Sequence, residues 1–331
     1  MRNAPEACRI TAYNFVASRD ILPRIVSIQS IVKNGNAASQ LSVVENPKIM
    51  IRRATPADAE VCGQICYDAF TTIAKEHNFP PDFPGPERAN QVVSSMFSHP
   101  GFYCVVAADG GRILGSNCLD ERSTIGGIGP VTIAPDVQNK SVGRRLMMAV
   151  MDRSDERGFP GIRLVQAGYH VRSLSLYAKL GFVVREHLAC MQGPAIEKVW
   201  RGYSVRAAEP SDLPACNELC YRVHGHDRAG ELKDAVQQGI AVVAERYGEI
   251  CAYASSIAFF GHAVAENNRD LQVLIAAAKE FPGPGILVPT RNAELFHWCL
   301  ENGLRVNQPM TLMTMGLYNE PAGAYLPSIL Y

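Results

Sequence analysis

Residues 131–146 read VTIAPDVQNKSVGRRL. Val131 to Ala134 is a short apolar strand, and from Val142 the pattern becomes helical. Leu146, Met147, Val150 and Met151 fall on one face, and Gly158 is placed to stop the helix. Gln138 to Gly143 is the turn between the two. A strand that feeds a small-residue turn and then a helix leaves several backbone N–H groups unpaired at the helix start. With the positive end of the helix dipole, those donors suit a phosphate or pyrophosphate. Arg144 and Arg145 add cationic donors in the first turn.

Upstream, strands are predicted near 49–53, 102–108, 112–119 and 128–134, and helices near 57–69 and 87–98. Asp109-Gly110-Gly111 is a hairpin signal between two of the strands. Downstream, the pattern gives strands near 161–166 and 182–190 and a helix near 171–180. This is an α/β pattern, a mixed sheet of the α+β kind. The chain lacks Gly-x-x-x-x-Gly-Lys-Ser/Thr and has no Gly-x-Gly-x-x-Gly after its first strand. A P-loop nucleotidase and a dinucleotide dehydrogenase are therefore disfavoured.

Gln138, Ser141 and Gly143 match the positions of Gln/Arg-x-x-Gly-x-Gly/Ala, and Ser175-Leu176-Tyr177-Ala178-Lys179-Leu180-Gly181-Phe182 follows at the right separation. Over residues 50–192 the chain resembles the GNAT superfamily of N-acetyltransferases. Ser141 stands where the pattern has glycine, and the expectation is that its backbone keeps a negative φ. The resemblance implies acetyl-CoA as co-substrate, lying between the strands near 128–134 and 161–166. Val131, Thr132 and Ile133 would take the pantetheine arm, the backbone of Val131 and Ile133 supplying the hydrogen bonds. Gln138, Asn139, Lys140, Ser141, Val142, Gly143 and Arg144 would wrap the pyrophosphate.

The resemblance also implies direct attack of an amine on the thioester, with Tyr177 as the acid that protonates the leaving thiolate. No base is evident. Asp120, Glu121 and His170 are candidates, each equally readable as a surface residue, and Glu121 is retained as a site residue. The terminal residues PAGAYLPSILY are apolar enough to dock, which makes Tyr331 a further candidate because some two-domain relatives place a terminal carboxylate near the thioester. The acceptor would be a primary amine, on a small molecule or a protein. The lack of a visible base motivates an alternative, a non-catalytic acyl-CoA sensor or regulatory protein.

A second reading comes from comparing the chain with itself. Residues 51–67, IRRATPADAEVCGQICY, match residues 205–221, VRAAEPSDLPACNELCY, at seven positions that include Arg52/Arg206, Asp58/Asp212, Cys62/Cys216 and Cys66/Cys220. Val105-Val106-Ala107 pairs with Val242-Val243-Ala244, Leu164-Val165 with Leu287-Val288, and Gly181 with Gly303, all in order. The expectation is two tandem GNAT-like domains, mostly antiparallel sheets with flanking helices. The catalytic one spans 49–195. The degenerate one, with a C-terminal tail, spans 203–331. The second copy has Cys299 at the position of Tyr177 and no counterpart of the phosphate loop. Phe259-Phe260, His297 and Trp298 are read either as a cap or dimer face or as core of the second copy.

The composition fits this picture. The chain has 331 residues, 47% hydrophobic and 19% charged, with 32 basic and 32 acidic residues. No basic field points to nucleic acid or to a membrane surface, no apolar run suits a membrane span, and a homodimer is compatible with the second copy's apolar residues. The ten cysteines are read as reduced thiols, hence a cytoplasmic protein. Cys62/Cys66 and Cys216/Cys220 are read as buried hydrophobes rather than metal ligands, and His224-Gly225-His226 as surface or cleft residues. Residues 1–48 carry six basic and three acidic residues. They are read as a poorly ordered N-terminal extension, or as preceding a natural start at Met50.

Overall fold

The computed structural model describes residues 49–330, so the readings of residues 1–48 and of Tyr331 lie outside the described residues. The first repeat runs β1 (Met50–Arg53), α1 (Ala59–Glu76), α2 (Pro86–Ser98), β2 (Phe102–Asp109), β3 (Arg112–Asp120), β4 (Gly126–Ile128), β5 (Thr132–Ile133), α3 (Val142–Arg157), β6 (Gly161–Ala167), α4 (Val171–Lys179) and β7 (Val183–Gln192). The second repeats the series: β8 (Tyr203–Ala207), α5 (Leu213–His224), α6 (Ala229–Gln237), β9 (Val242–Arg246), β10 (Glu249–Ala254), β11 (Ala263–Ala265), α7 (Asn268–Ala277), β12 (Ile286–Pro289), α8 (Ala293–Glu301) and β13 (Arg305–Gly316). One further strand, β14 (Ala324–Leu326), closes the described chain. The fold is mixed α/β, mostly antiparallel with flanking helices.

The residues shared between the repeats have the same work in each. Arg52 at the end of β1 grips Asp58 with two hydrogen bonds of 2.8 and 2.7 Å, and Arg206 grips Asp212 at 2.7 and 2.9 Å. Each aspartate also accepts the backbone N–H of the residue that opens its short 3-10 turn, Thr55 or Glu209, at 2.8 Å. Proline holds the first position of both turns. Cys62, Cys66, Cys216 and Cys220 are fully buried under the sheets, and burial raises their thiol pKa values, Cys62 and Cys216 to about 12. They pack as small hydrophobes.

Register places Cys104 on β2 directly opposite Cys118 on β3, and the two are joined in a disulfide. The reading of every cysteine as a reduced thiol is corrected for this pair; the other described cysteines are free and buried. His224 and His226 are buried as well, against the earlier surface or cleft reading. The last turn of α5 packs under Tyr325 of β14, whose ring lies edge-on to His224 at 5.1 Å. No described helix is long and apolar enough to cross a membrane.

The sheets do not stop at the repeat boundary. One runs β1-β2-β3-β4-β6-β13-β7-β12, with β5 paired to β3. β13 of the second repeat lies antiparallel between β6 and β7, from Met310 opposite Ala167 to Gly316 opposite Gly161. β7 of the first repeat in turn pairs with β12 of the second, Met191 opposite Ile286. Each repeat thus completes its sheet with the other's last strand. The break at Gly193-Pro194 separates the repeats along the chain, while the described residues form one compact unit.

Two outcomes follow from these contacts. A fragment ending at residue 195 lacks β13 and leaves β6 with an open edge, so it should be insoluble or show no cooperative thermal transition by circular dichroism. Asp58→Asn and Asp212→Asn should each cost about 1 kcal/mol, the usual worth of such a cap. Both carboxyls are held below their ordinary pKa, first by the hydrogen-bonded arginine. Their contribution is present above the unfolded pKa of about 4 and is lost as pH falls below it, so thermal midpoints of wild type and variants should converge in acid.

Candidate active site

The first repeat's sheet parts at one place. β4 pairs in parallel with β6 only at Gly126–Ile162 and Gly127–Arg163. The chain then turns through a cis Gly129-Pro130 bond, and β5 pairs with β3 instead, Gly115 opposite Ile133 and Ser116 opposite Thr132. The strand expected over 128–134 is therefore two short pieces. Beyond Gly127 the edge toward β6 is open.

A cavity of about 400 Å³ fills that gap. At one end lie Gln138, Asn139, Ser141, Val142, Gly143 and Arg144. Val131 and Ile133 form one wall, Leu164 to Ala167 of β6 the other, and Leu176 and Tyr177 of α4 also line it. Thr132 does not. It is buried on the other side with its hydroxyl 3.1 Å from that of Ser116. Lys140 is exposed and also off the cavity lining.

The loop departs from expectation in its backbone. Ser141 has φ +62°, not the negative φ that its side chain was expected to require, and Asn139 has φ +68°. For residues with a Cβ this conformation costs about 1–2 kcal/mol each. Residues held this way in a turn aim successive N–H groups into one concavity. The Ser141 side chain caps nothing, and Arg145 N–H is bonded to the Ser141 carbonyl at 3.2 Å. The N–H groups of Val142, Gly143 and Arg144 precede that first helical bond and have no intrahelical acceptor.

Two further groups complete this end. Arg172, in the first turn of α4, donates to Gln138 Oε1 at 2.8 Å and lines the cavity. Gln166 Oε1 accepts the Ser173 hydroxyl at 2.6 Å, whereas its Nε2 is buried with no partner among the described residues. An orphaned buried amide N–H is costly unless something else fills the site. Uncapped N–H groups, two arginines and an unmet amide donor in a cleft between parted strands fit a long phosphorylated co-substrate.

Tyr177 is buried, packs edge-on to Phe182 at a centroid distance of 6.3 Å, and has its pKa pushed up by burial alone. It is a neutral phenol at any working pH. His170, which precedes α4, also lines the cavity. Burial, aided by Arg172, lowers its pKa to about 4 and leaves it uncharged at neutral pH.

Glu121 is placed elsewhere, which corrects its reading as a site residue. Arg153 of α3 holds it at 2.7 Å, Arg157 lies at 3.8 Å, and it is not on the cavity. Asp120 is likewise tied to Arg122. The end of β3 directs both carboxylates into ion pairs away from the cleft. Tyr331 lies outside the described residues, but Ile329 and Leu330 line the cavity, tied down through Ile329 N–H to the Phe259 carbonyl at 2.9 Å.

The second repeat closes the same region. Only Glu266 and Asn267 separate β11 from α7, and the Asn267 side chain caps the helix by accepting from Asp270 N–H. Where the first repeat parts, β14 pairs with β11, Val264 opposite Tyr325, and packs beside β12. A shallow depression remains at the starts of α7 and α8, but its polar groups satisfy one another, Asn268 donating to Glu294 and Asn292 to Asn268. Phe259 and Phe260 instead line the first repeat's cavity, and Trp298 packs near Trp200 against the second core.

Sequence reasoning missed Arg172, Gln166, Asp82 and Phe83, whereas Phe259-Phe260 falls on the cavity, in keeping with its reading as a cap. Asp82 and Phe83 sit in Phe79-Pro80-Pro81-Asp82-Phe83-Pro84, and that density of proline and aromatic residues between two helices was the available signal. The others are brought to the cavity by strand pairing and carry no local pattern.

An uncapped helix start beside parted strands, opening onto a buried tyrosine, is the kind of site that suits a long phosphorylated co-substrate. Residues 67–182 match the model of the Acetyltransferase (GNAT) family, about a third of the chain. No curated protein matches the sequence significantly. Among solved structures, a Pyrococcus horikoshii protein assigned as an acetyltransferase aligns over 83% of this chain and 94% of its own, at 19% identity and a TM-score of 0.65. A GCN5-related N-acetyltransferase of Sphaerobacter thermophilus aligns over 82% and 96%, at 13% identity and a TM-score of 0.56. The first repeat thus contains the segment that matches the GNAT family, and the two-repeat chain shares its fold with these proteins. Acetyl transfer with an acyl-CoA co-substrate goes with that family.

The tail offers a direct test of the cavity. A Cβ at Gly127 would run into the Leu330 carbonyl oxygen at the vertex where the strands part. Gly127→Ala should therefore displace the tail and lower acetyl transfer by roughly ten- to a hundredfold, as small misplacements do, while calorimetry finds CoA affinity little changed.

Proposed function

We propose that this protein is an acetyl-CoA-dependent N-acetyltransferase that acetylates a primary amine by direct attack on the thioester. The observation that carries the reading is the uncapped start of α3 opening onto a cavity that runs between parted strands to Tyr177. The N–H groups of Val142, Gly143 and Arg144, with the Arg144 and Arg172 guanidiniums, take the pyrophosphate. The open backbone edge at Val131 and Ile133, and the Gln166 amide, take the polar atoms of the pantetheine arm. The thioester then lies toward the vertex near Gly127.

The attacking amine forms a C–N bond to the carbonyl carbon and the C–S bond breaks. Tyr177 gives its phenolic proton to the departing thiolate and recovers one from the acylated nitrogen. Burial keeps the phenol protonated until that moment. The second repeat contributes the strand beside β6 and a wall of the cavity and has lost its own opening, so one acetyl transfer site per chain is the expected stoichiometry.

Tyr177→Phe should reduce amine-dependent thiol release by about 10²-fold or more with acetyl-CoA affinity little changed. Unchanged turnover would remove Tyr177 from the mechanism. Arg144→Ala and Arg172→Ala should each weaken CoA binding about tenfold or more, the worth of one charge-assisted hydrogen bond. A calorimetric titration of the wild-type protein with CoA that gave no heat would overturn the proposal.

A further inference from the structure

The cavity's acceptor side contains a carboxylate with no cationic partner. Asp82 lies in the loop between α1 and α2 and lines the cavity. Among the described residues no lysine, arginine or histidine pairs with it, in contrast to Asp58, Asp120 and Glu121. Its hydrogen-bond partner is neutral: Gln308 of β13, almost fully buried, donates Nε2 to Asp82 Oδ1 at 2.8 Å. Gln308 is itself held, since its Oε1 accepts the Tyr169 hydroxyl at 3.3 Å. Phe79, at the start of the same loop, stacks on the Tyr169 ring at 4.2 Å and 9°. The loop is thus anchored at two points, and its carboxylate is presented to the cavity.

The cavity that Asp82 lines has an apolar wall that is largely aromatic: Phe70, Phe83, Phe259 and Phe260, with Ile329. An ionised carboxylate in such surroundings is unfavourable without a cation, and the described residues pair none with it. Resting on the acetyltransferase reading, we infer that Asp82 is the acceptor-side catalytic residue: it binds the acceptor's ammonium group and removes its proton, and the acceptor is a primary amine on an apolar, aromatic-sized body. The carboxylate takes one proton from R–NH3+, leaving R–NH2 to attack the thioester. The nitrogen's second proton returns to Tyr177 after that phenol has protonated the thiolate, and Asp82 releases its proton to solvent.

Burial raises the Asp82 pKa, opposed by the Gln308 hydrogen bond, and so brings the carboxylate closer to the range in which a base is effective. The titratable groups facing it are Cys66 on α1, Tyr169 after β6 and Cys190 on β7, and His170 lines the same cavity. Burial holds the thiols and the phenol protonated and His170 neutral at neutral pH, so none masks the titration of Asp82.

The test uses the full chain, acetyl-CoA, and four amines: 2-phenylethylamine and hexylamine as apolar probes, glucosamine and spermidine as polar ones. Wild type should prefer the apolar pair, with kcat/KM falling on the acid side through a raised carboxylate pKa. Asp82→Asn should lose about 10²-fold or more in kcat/KM for the apolar pair and lose that acid limb, with CoA affinity kept. Asp82→Glu, which retains the charge, should recover part of the rate. CoA binding with wild-type turnover in Asp82→Asn, or preference for the polar amines, would overturn this inference alone. Equal losses in both variants with equally lowered thermal midpoints would mark a structural role and also overturn it. No CoA binding by wild type would instead overturn the acetyltransferase reading beneath it.

Discussion

A β-sheet that parts must find new partners for the backbone groups it frees, because an unpaired N–H or C=O in a protein interior is costly. In this chain that requirement arises twice, once in each repeat, and is met differently. Between β10–β11 and β12 the strand β14 moves in and takes the β11 edge, so the second repeat satisfies itself. Between β5 and β6 no strand of the described chain does so, and the gap is a cavity instead. The same contrast holds at the helix starts. Asn267 caps α7, whereas Ser141 turns left-handed and leaves α3 uncapped. The first repeat keeps open what the second closes, so the cavity lies in the first.

The closed repeat is not inert ballast. Its last strand, β13, is the neighbour that β6 would otherwise lack, and it brings Gln308 to the loop that carries Asp82. The Phe259-Phe260 turn and the residues that follow β14 form a wall of the same cavity. The two repeats also meet through ions. Arg122, already paired with Asp120, reaches Asp234 of α6 at 2.8 Å, and Thr124 donates to Asp227 at 2.5 Å. Burying Arg122 is unfavourable by itself, but the two carboxylates outweigh that cost and raise its pKa. Exchange of strands, buried ion pairs and a shared cavity together explain how a repeat can lose its ligand loop and still be retained by the fold.

Much of this was legible in the chain alone. The duplication was visible because Arg52/Asp58 and Arg206/Asp212 perform one local task, tying a strand end to a helix start, and short-range tasks leave short-range patterns. The hairpin at Asp109-Gly110-Gly111 and the stop at Gly158 could be read for the same reason: both turn on glycines at positive φ. The loop from Gln138 to Arg144 was identified by resemblance, and the structure brings most of it to the cavity. Ser141 was misread because steric preference within one residue was weighed against nothing else, and the turn's geometry prevailed over it.

What the sequence by itself determined was every feature held by contacts close along the chain: the element order, the caps, the two copies, and the turn at the start of α3. Only the tertiary structure decided how the second copy is closed, that each sheet is completed by the other repeat's last strand, that Glu121 is bound by arginines away from the cleft, and that Asp82 meets Gln308 across more than two hundred residues. The physical reason is that strand pairing is non-local. Its hydrogen bonds come from backbone groups that are the same in nearly every residue, so the partner a strand finds is set by the packing of the whole sheet and leaves little mark on its own sequence.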